Sequence, residues 1–182
     1  MSNFENSATP DPADMRVRGP EDRERTGPLP IVDDMVIMVG RLTAERDRVT
    51  AGNNSCCVVV CATDPIQGWS VEQAVGETAR RFADSLRAYD SIFLFGRDKI
   101  LVCLPFVTAA DAPSVMQRLR DLANRMPVTL PGGVSGHVTV SVGGVMMDRA
   151  AGVQQIINRA DKAMEQARIS GIRATLWSAD ML

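Results

Sequence analysis

The chain has 182 residues and a formal net charge of −2, a length that fits one folded domain preceded by a polar tail. A nearly balanced charge excludes bulk electrostatic binding of nucleic acid or an anionic membrane, yet leaves room for a small basic nucleotide pocket. A core of about 150 residues buries roughly 68–70% of its unfolded surface and needs no covalent staples.

Residues 1–30 are rich in Pro, Asp, Glu and Arg and poor in large apolar side chains. They cannot bury enough surface to offset the entropy of ordering, so a disordered or loosely draped tail is expected, inert rather than a docking arm. The folded domain is expected over 31–182. Over 31–50, Ile31, Met35, Met38, Val39 and Leu42 recur at helical spacing and predict an amphipathic helix. AGNN is a turn. The apolar, β-branched run SCCVVVCAT (55–63) predicts a strand covered on both faces. DPIQGWS (64–70) is a loop ending on Ser70, an N-cap with Gln73 in the capping-box position. A helix follows over 71–88, its inner stripe formed by Val75, Ala79, Phe82 and Leu86.

SIFLF (91–95) and KILVCLP (99–105), joined through GRD, predict a β-hairpin with a very short turn. A helix is expected over 112–126 with Val115, Leu119, Leu122 and Met126 inward, then a flexible loop, LPGGVSG, and a strand, HVTVSVGGVMM (137–147). The last helix spans 151–170 through Val153, Ile156, Ile157, Ala160, Met164 and Ala167. Gly171 stands at its C-cap, and IRATLW is a closing strand. The order α β α β β α β α β predicts an α/β sandwich: a mixed sheet with one antiparallel hairpin and crossovers on one face.

The four cysteines, Cys56, Cys57, Cys61 and Cys103, lie in strand-like runs and read as buried, reduced thiols of a cytoplasmic protein. Cys57 and Cys61 should share a strand face, with Cys103 nearby. No CxxC pair or neighbouring His supports a metal site. No apolar run approaches ~18 residues and the N-terminus lacks signal-peptide layout, so neither membrane insertion nor export is expected. His137 reads as structural, Trp69 and Trp177 as packing, and Met35, Met38, Met146 and Met147 as core filling.

Three landmarks in order, GRDKILVCLP (96–105), VTVSVGG (138–144) and RADKAMEQARISG (159–171), resemble the GGDEF domain, the fold of diguanylate cyclases, which join two GTP molecules into cyclic di-GMP. GRDKILVCLP (96–105) has the layout of the signature turn, apolar strand and Pro. VTVSVGG (138–144) is similar to the family's VTVSIG strand, and RADKAMEQARISG (159–171) resembles its RADxALYxAKxxG helix. The resemblance implies a nucleotidyl-cyclase-like mixed sheet with a central β-hairpin flanked by helices. It also exposes departures. Laid on GGDEF, the turn reads Gly96, Arg97, Asp98, Lys99, Ile100. Arg97 replaces the Gly that lets the nucleotide approach closely, and a residue with a Cβ resists positive φ. Asp98 matches a metal carboxylate, but Lys99 replaces the adjacent Glu. The first strand ends in Cys61, Ala62 and Thr63 where the family has its other metal carboxylate, and Asp64 is out of register. The guanine-binding segment is cut down to DPIQGWS. Arg168 stands for a phosphate-binding Lys, and Ile172 replaces an Arg. Phosphoryl transfer needs paired metals, so the resemblance implies a domain without cyclase activity, metal or cofactor.

A second motif is retained. Arg87-Ala88-Tyr89-Asp90 matches the family's inhibitory RxxD site, five residues before the signature turn, and Arg118 in MQRLR matches the second arginine of that site. Arg87 and Asp90, at i,i+3 of a helix end, should project from one face. A guanidinium pairs with guanine O6 and N7 or with phosphate, and a carboxylate accepts from guanine N1–H and N2–H₂. The resemblance thus implies a cyclic di-GMP receptor or effector built on Arg87, Asp90 and Arg118, signalling by dimerisation or by docking a protein partner. The alternative is an interaction scaffold that binds no nucleotide.

Overall fold

A computed structural model describes residues 27–181 apart from 53 and 126; the expectations for tail residues 1–26 and for Met126 lie outside the described residues. A six-stranded sheet has the order β1 (Ile31–Val32), β3 (Ser91–Phe95), β4 (Lys99–Pro105), β2 (Cys56–Thr63), β7 (Val140–Met146), β8 (Ala174–Leu176). β2 is central and antiparallel to both β4 and β7, while the edge pairs β1–β3 and β7–β8 are parallel. The helices are α1 (Met35–Ala51), α2 (Val71–Ser85), α3 (Ala112–Asn124) and α4 (Val153–Ser170).

The alternation of β2 decides how the helices are placed. Cys57, Val59 and Cys61 face a core with Phe82 of α2 and Leu119 of α3, whereas Cys56, Val58, Val60 and Ala62 face a second core with Leu42 of α1 and Ile156 of α4. Every β2 residue is buried. The helices therefore cover both faces of the sheet, not the single face the crossovers suggested, because an all-apolar strand leaves two faces to be covered. The same alternation separates the cysteines. Cys103 lies on the opposite side from Cys57 and Cys61, its Sγ 3.6 Å from that of Cys56. All four thiols are buried and unpaired. Burial first, then the neighbouring Cys56, pushes the Cys57 thiol up to about 12, and burial drives Cys61 higher still, so neither is a thiolate at neutral pH.

The first element differs from expectation. Ile31 belongs to β1, paired with Ile92, and the Asp34 carboxylate accepts from the N–H groups of Val36 and Ile37, which starts α1 at Met35. The buried stripe of α1 is Met38, Leu42, Glu45 and Val49, so Met35 and Val39 are exposed instead of inward. Folded structure also begins before residue 31. Leu29 enters the core and its N–H donates to the Ala83 carbonyl at 2.9 Å. α2 carries the expected capping box, with Ser70 N–H on Gln73 Oε1 at 2.8 Å and Gln73 N–H on Ser70 Oγ at 3.2 Å, and buries Val75, Ala79, Phe82 and Leu86. LPGGVSG closes a small hairpin, β5 (Val128–Thr129) with β6 (Ser135–Gly136), rather than a flexible loop.

Gly143 and Gly144 of β7 set how closely the layers pack. A Cβ on Gly143 would run into the backbone of α4 at Met164 and the Ala160 carbonyl, whereas one on Gly144 would meet side chains, those of Met116, Leu176 and Cys57. Backbone cannot move aside, but a thioether can. Gly143→Ala should therefore cost more than about 3 kcal/mol of stability and Gly144→Ala about 1–2 kcal/mol. Denaturant unfolding measures both, and equal small losses would contradict this packing.

Candidate functional site

α2 ends one turn earlier than its apolar spacing suggests. Leu86 adopts an extended conformation, and the segment from Arg87 to Asp90 forms a tight turn into β3. Asp90 makes that turn: its Oδ2 accepts from the Arg87 backbone N–H at 2.8 Å, and its own N–H donates to the Arg87 carbonyl at 3.0 Å. Arg87 and Asp90 are thus brought together by a side-chain-closed turn, not by a shared helix face, because the Asp carboxylate takes the N–H that a further helical turn would use. Asp90 is only 5% exposed. Burial raises its pKa to about 6 against the opposing effects of the Arg87 N–H and the charges of Arg87 and Arg118.

The two arginines meet at one pocket of about 270 Å³. Arg87 comes from the turn, while Ser114, Val115 and Arg118 come from one face of α3. Phe106 and Val107, just past β4, complete the wall, and Asp111 stands at the start of α3 with its carboxylate held by the Thr108 hydroxyl at 2.7 Å. Asp90 does not line this pocket but lies buried within electrostatic reach of both guanidinium groups. Arg87 is exposed, its Nη1 donating to the Tyr89 hydroxyl at 2.8 Å with its Cζ 5.8 Å from the ring centre. Sequence reasoning passed over Phe106 and Tyr89, although VCLPFVT and RAYD place an aromatic residue at each boundary of the pocket.

The signature turn lies at the other end of the same hairpin. Its left-handed residue is Gly96, with φ of 67°, and Arg97 is not among the residues with positive φ, so its Cβ causes no backbone strain. Arg97 reaches out to Glu72 at 3.6 Å. Lys99 opens β4 and turns its ammonium to α4, 2.7 Å from Asp161 and 3.5 Å from Glu165. Burial works against the Lys99 charge, but bonding to Asp161 and the charges of both acids outweigh it and raise its pKa. Ile100 is fully buried. Asp98 faces Arg168 at 3.7 Å, and both line a smaller pocket of about 100 Å³ with Thr63, Asp64 and Trp69.

Asp64, just beyond β2, accepts from the Thr139 hydroxyl at 2.7 Å and from Arg173 at 2.5 Å. Arg173 holds this place from a left-handed backbone, with φ of 70°, one residue beyond Ile172, where the family resemblance implies an arginine. The signal for it was the Arg that ends SGIR. Among the described residues no cluster of three or more His, Cys, Asp or Glu side chains is arranged to hold a metal ion, and no helix is long and apolar enough to cross a membrane.

The profile of the family described as "Diguanylate cyclase, GGDEF domain" matches residues 70–173. Response regulator PleD of Caulobacter vibrioides is 27% identical over 154 residues, covering 78% of this chain and 33% of the relative. The chain thus spans about a third of that relative's length. Diguanylate cyclase SiaD of Pseudomonas aeruginosa, solved with its activator SiaC, is 26% identical with a TM-score of 0.69 over 81% of this chain and 58% of that one. The GGDEF domain of DgcB from Caulobacter crescentus, solved with cyclic di-GMP, superposes with a TM-score of 0.69 at 16% identity over 81% of this chain and 88% of that one, a likeness of fold. The mixed sheet, its central hairpin and the match across more than half of the sequence lead to one conclusion: the chain belongs to the GGDEF domain family.

Proposed function

We propose that this domain is a receptor for cyclic di-GMP that has no cyclase activity. The observation that carries the reading is the convergence of Arg87 and Arg118 on one pocket beside the buried Asp90 carboxylate. One guanidinium can meet guanine O6 and N7 bidentately while the other offsets phosphate charge, and Asp90, 5% exposed and with Oδ2 held by the Arg87 N–H, has Oδ1 left as the acceptor for a guanine N1–H or N2–H₂ that reaches past the two arginines. A pocket of about 270 Å³ is below the ~300–1,000 Å³ that encloses a drug-sized ligand, so a cyclic dinucleotide would protrude from it. A protruding ligand suits a signal passed by dimerisation or by docking of a protein partner, and the relative SiaD is a precedent for a partnered GGDEF protein. The buried free thiols fit the reducing cytoplasm.

The signature turn supports the second half of the reading. A pair of magnesium ions needs uncommitted carboxylates to activate the attacking hydroxyl and to neutralise developing charge. Here Asp64 is bound by Arg173 and Thr139, Asp98 faces Arg168, and the acids on α4 are taken by Lys99. These residues do not fit a two-metal site. The domain would therefore use nucleotide only as a ligand.

Isothermal titration with cyclic di-GMP tests the receptor. Arg87→Ala leaves the backbone N–H that Asp90 holds, so the fold survives while affinity should fall by roughly 1–3 kcal/mol, about 5- to 150-fold, and Arg118→Ala should act similarly. Absence of heat from the unaltered protein at micromolar ligand would favour the scaffold reading. Incubation with GTP and Mg²⁺ or Mn²⁺ should yield no cyclic di-GMP. Product formation that disappears in Asp98→Ala would overturn the assignment of inactivity.

A further inference from the structure

The residue following β4 is harder to explain by folding than any other at the pocket. Phe106 has a φ of 64°, a left-handed conformation that only it and Arg173 adopt among the described non-glycine residues. A bulky side chain there costs stability. Burial does not offset that cost, because the side chain is 47% exposed while its neighbour Val107 is buried. The backbone is pinned: the Phe106 N–H donates to the Ser55 carbonyl at 2.7 Å, which fixes where the ring emerges. Glycine would make the same bond without strain.

The ring emerges at the rim of the pocket that Arg87 and Arg118 share. It packs perpendicular to Tyr89, with centroids 5.5 Å apart and an interplanar angle of 86°. Tyr89 is braced in turn, since Arg41 of α1 donates to its carbonyl at 3.4 Å and to the Ser91 hydroxyl at 3.3 Å. The Tyr89 hydroxyl also accepts from Arg87, so one side chain touches both the aromatic wall and the charged one. An aromatic face beside two guanidinium groups matches a planar base attached to a phosphate, since bases stack on aromatic rings while the phosphate meets the cations.

We propose that Phe106, steadied by Tyr89, is the stacking platform for one purine base of the nucleotide held by Arg87 and Arg118. This inference rests on the receptor reading and adds an affinity element to it: the base is held by its π-face on Phe106 as well as by its hydrogen-bonding edge. It also gives a reason for a strained phenylalanine at a position where glycine would fold more easily.

The test is calorimetric titration of cyclic di-GMP into the unaltered protein, Phe106→Gly and Phe106→Tyr, with a thermal melt of each. Phe106→Gly should melt within about 3 °C of the unaltered protein, because relaxation of the left-handed backbone compensates for the lost ring. Its affinity should fall about 5- to 150-fold, the loss of one base stack. Phe106→Tyr, which keeps the ring, should bind within about threefold of the unaltered protein. If the unaltered protein binds and Phe106→Gly binds equally well, the platform is wrong and the receptor reading stands. If Phe106→Gly loses binding together with a large drop in melting temperature, the ring serves the fold and the platform is again wrong. If the unaltered protein binds no cyclic di-GMP, the receptor reading and the platform fall together.

Discussion

The structure around the pocket depends on one buried charge. The Asp90 carboxylate is taken out of water to accept the Arg87 N–H, and that bond ends α2, turns the chain into β3 and aims the Arg87 side chain outward. Burial of an acid is unfavourable unless hydrogen bonds and opposite charges compensate. Compensation here is incomplete, as its pKa of about 6 shows even with two guanidinium groups in range. A carboxyl held in that condition is poised to gain from additional donors, which is what a guanine edge would supply.

The central hairpin links this pocket to the signature turn. β3 starts directly after Asp90, and β4 ends directly before Phe106, so both walls of the pocket are attached to one end of the hairpin while Gly96, Arg97 and Asp98 occupy the other. At the turn end, each acid has acquired a basic partner: Asp98 with Arg168, Asp64 with Arg173, Asp161 with Lys99. Basic substitutions at such a site need not leave loose cations. They convert a set of carboxylates that would repel one another into a set of ion pairs that ties the hairpin and the β2 loop to α4 and β8. In the proposed receptor the turn is thus a structural joint, and nucleotide is held at the opposite end of the same two strands.

The parts of this arrangement that were legible in the sequence are those that local pattern dictates. The β2 run, the capping box at Ser70 and Gln73, the hairpin and the Gly171 cap all follow from periodicity or from single-residue conformational demands, and Gly171 has the expected positive φ of 71°. The parts that were not legible depend on pairing across the fold. β1 is too short to announce itself and forms only because β3 offers an edge. The exposed Met35 and Val39 read as inward because the spacing of apolar residues fits more than one stripe, and only the packing of Leu42 and Val49 chooses between them. Arg173 was hidden because its role depends on a left-handed backbone and a partner 109 positions away. Motif spacing singles out Arg87, Asp90 and Arg118 as candidates, but the burial of Asp90 and the aromatic wall of the pocket emerge only from the tertiary structure.

The state of Asp90 underlies the turn and the pocket on which the receptor reading rests, and carboxyl-carbon NMR can follow it directly. In the free protein Asp90 should titrate near 6, above the ordinary value of 3.8, because the folded state disfavours its charge. Cyclic di-GMP, by donating to the ionised carboxylate, should lower that value by about one unit or more and release protons when it binds near pH 6. An Asp90 that titrates at an ordinary carboxylate pKa, or one whose titration is unmoved by saturating ligand, would contradict the account.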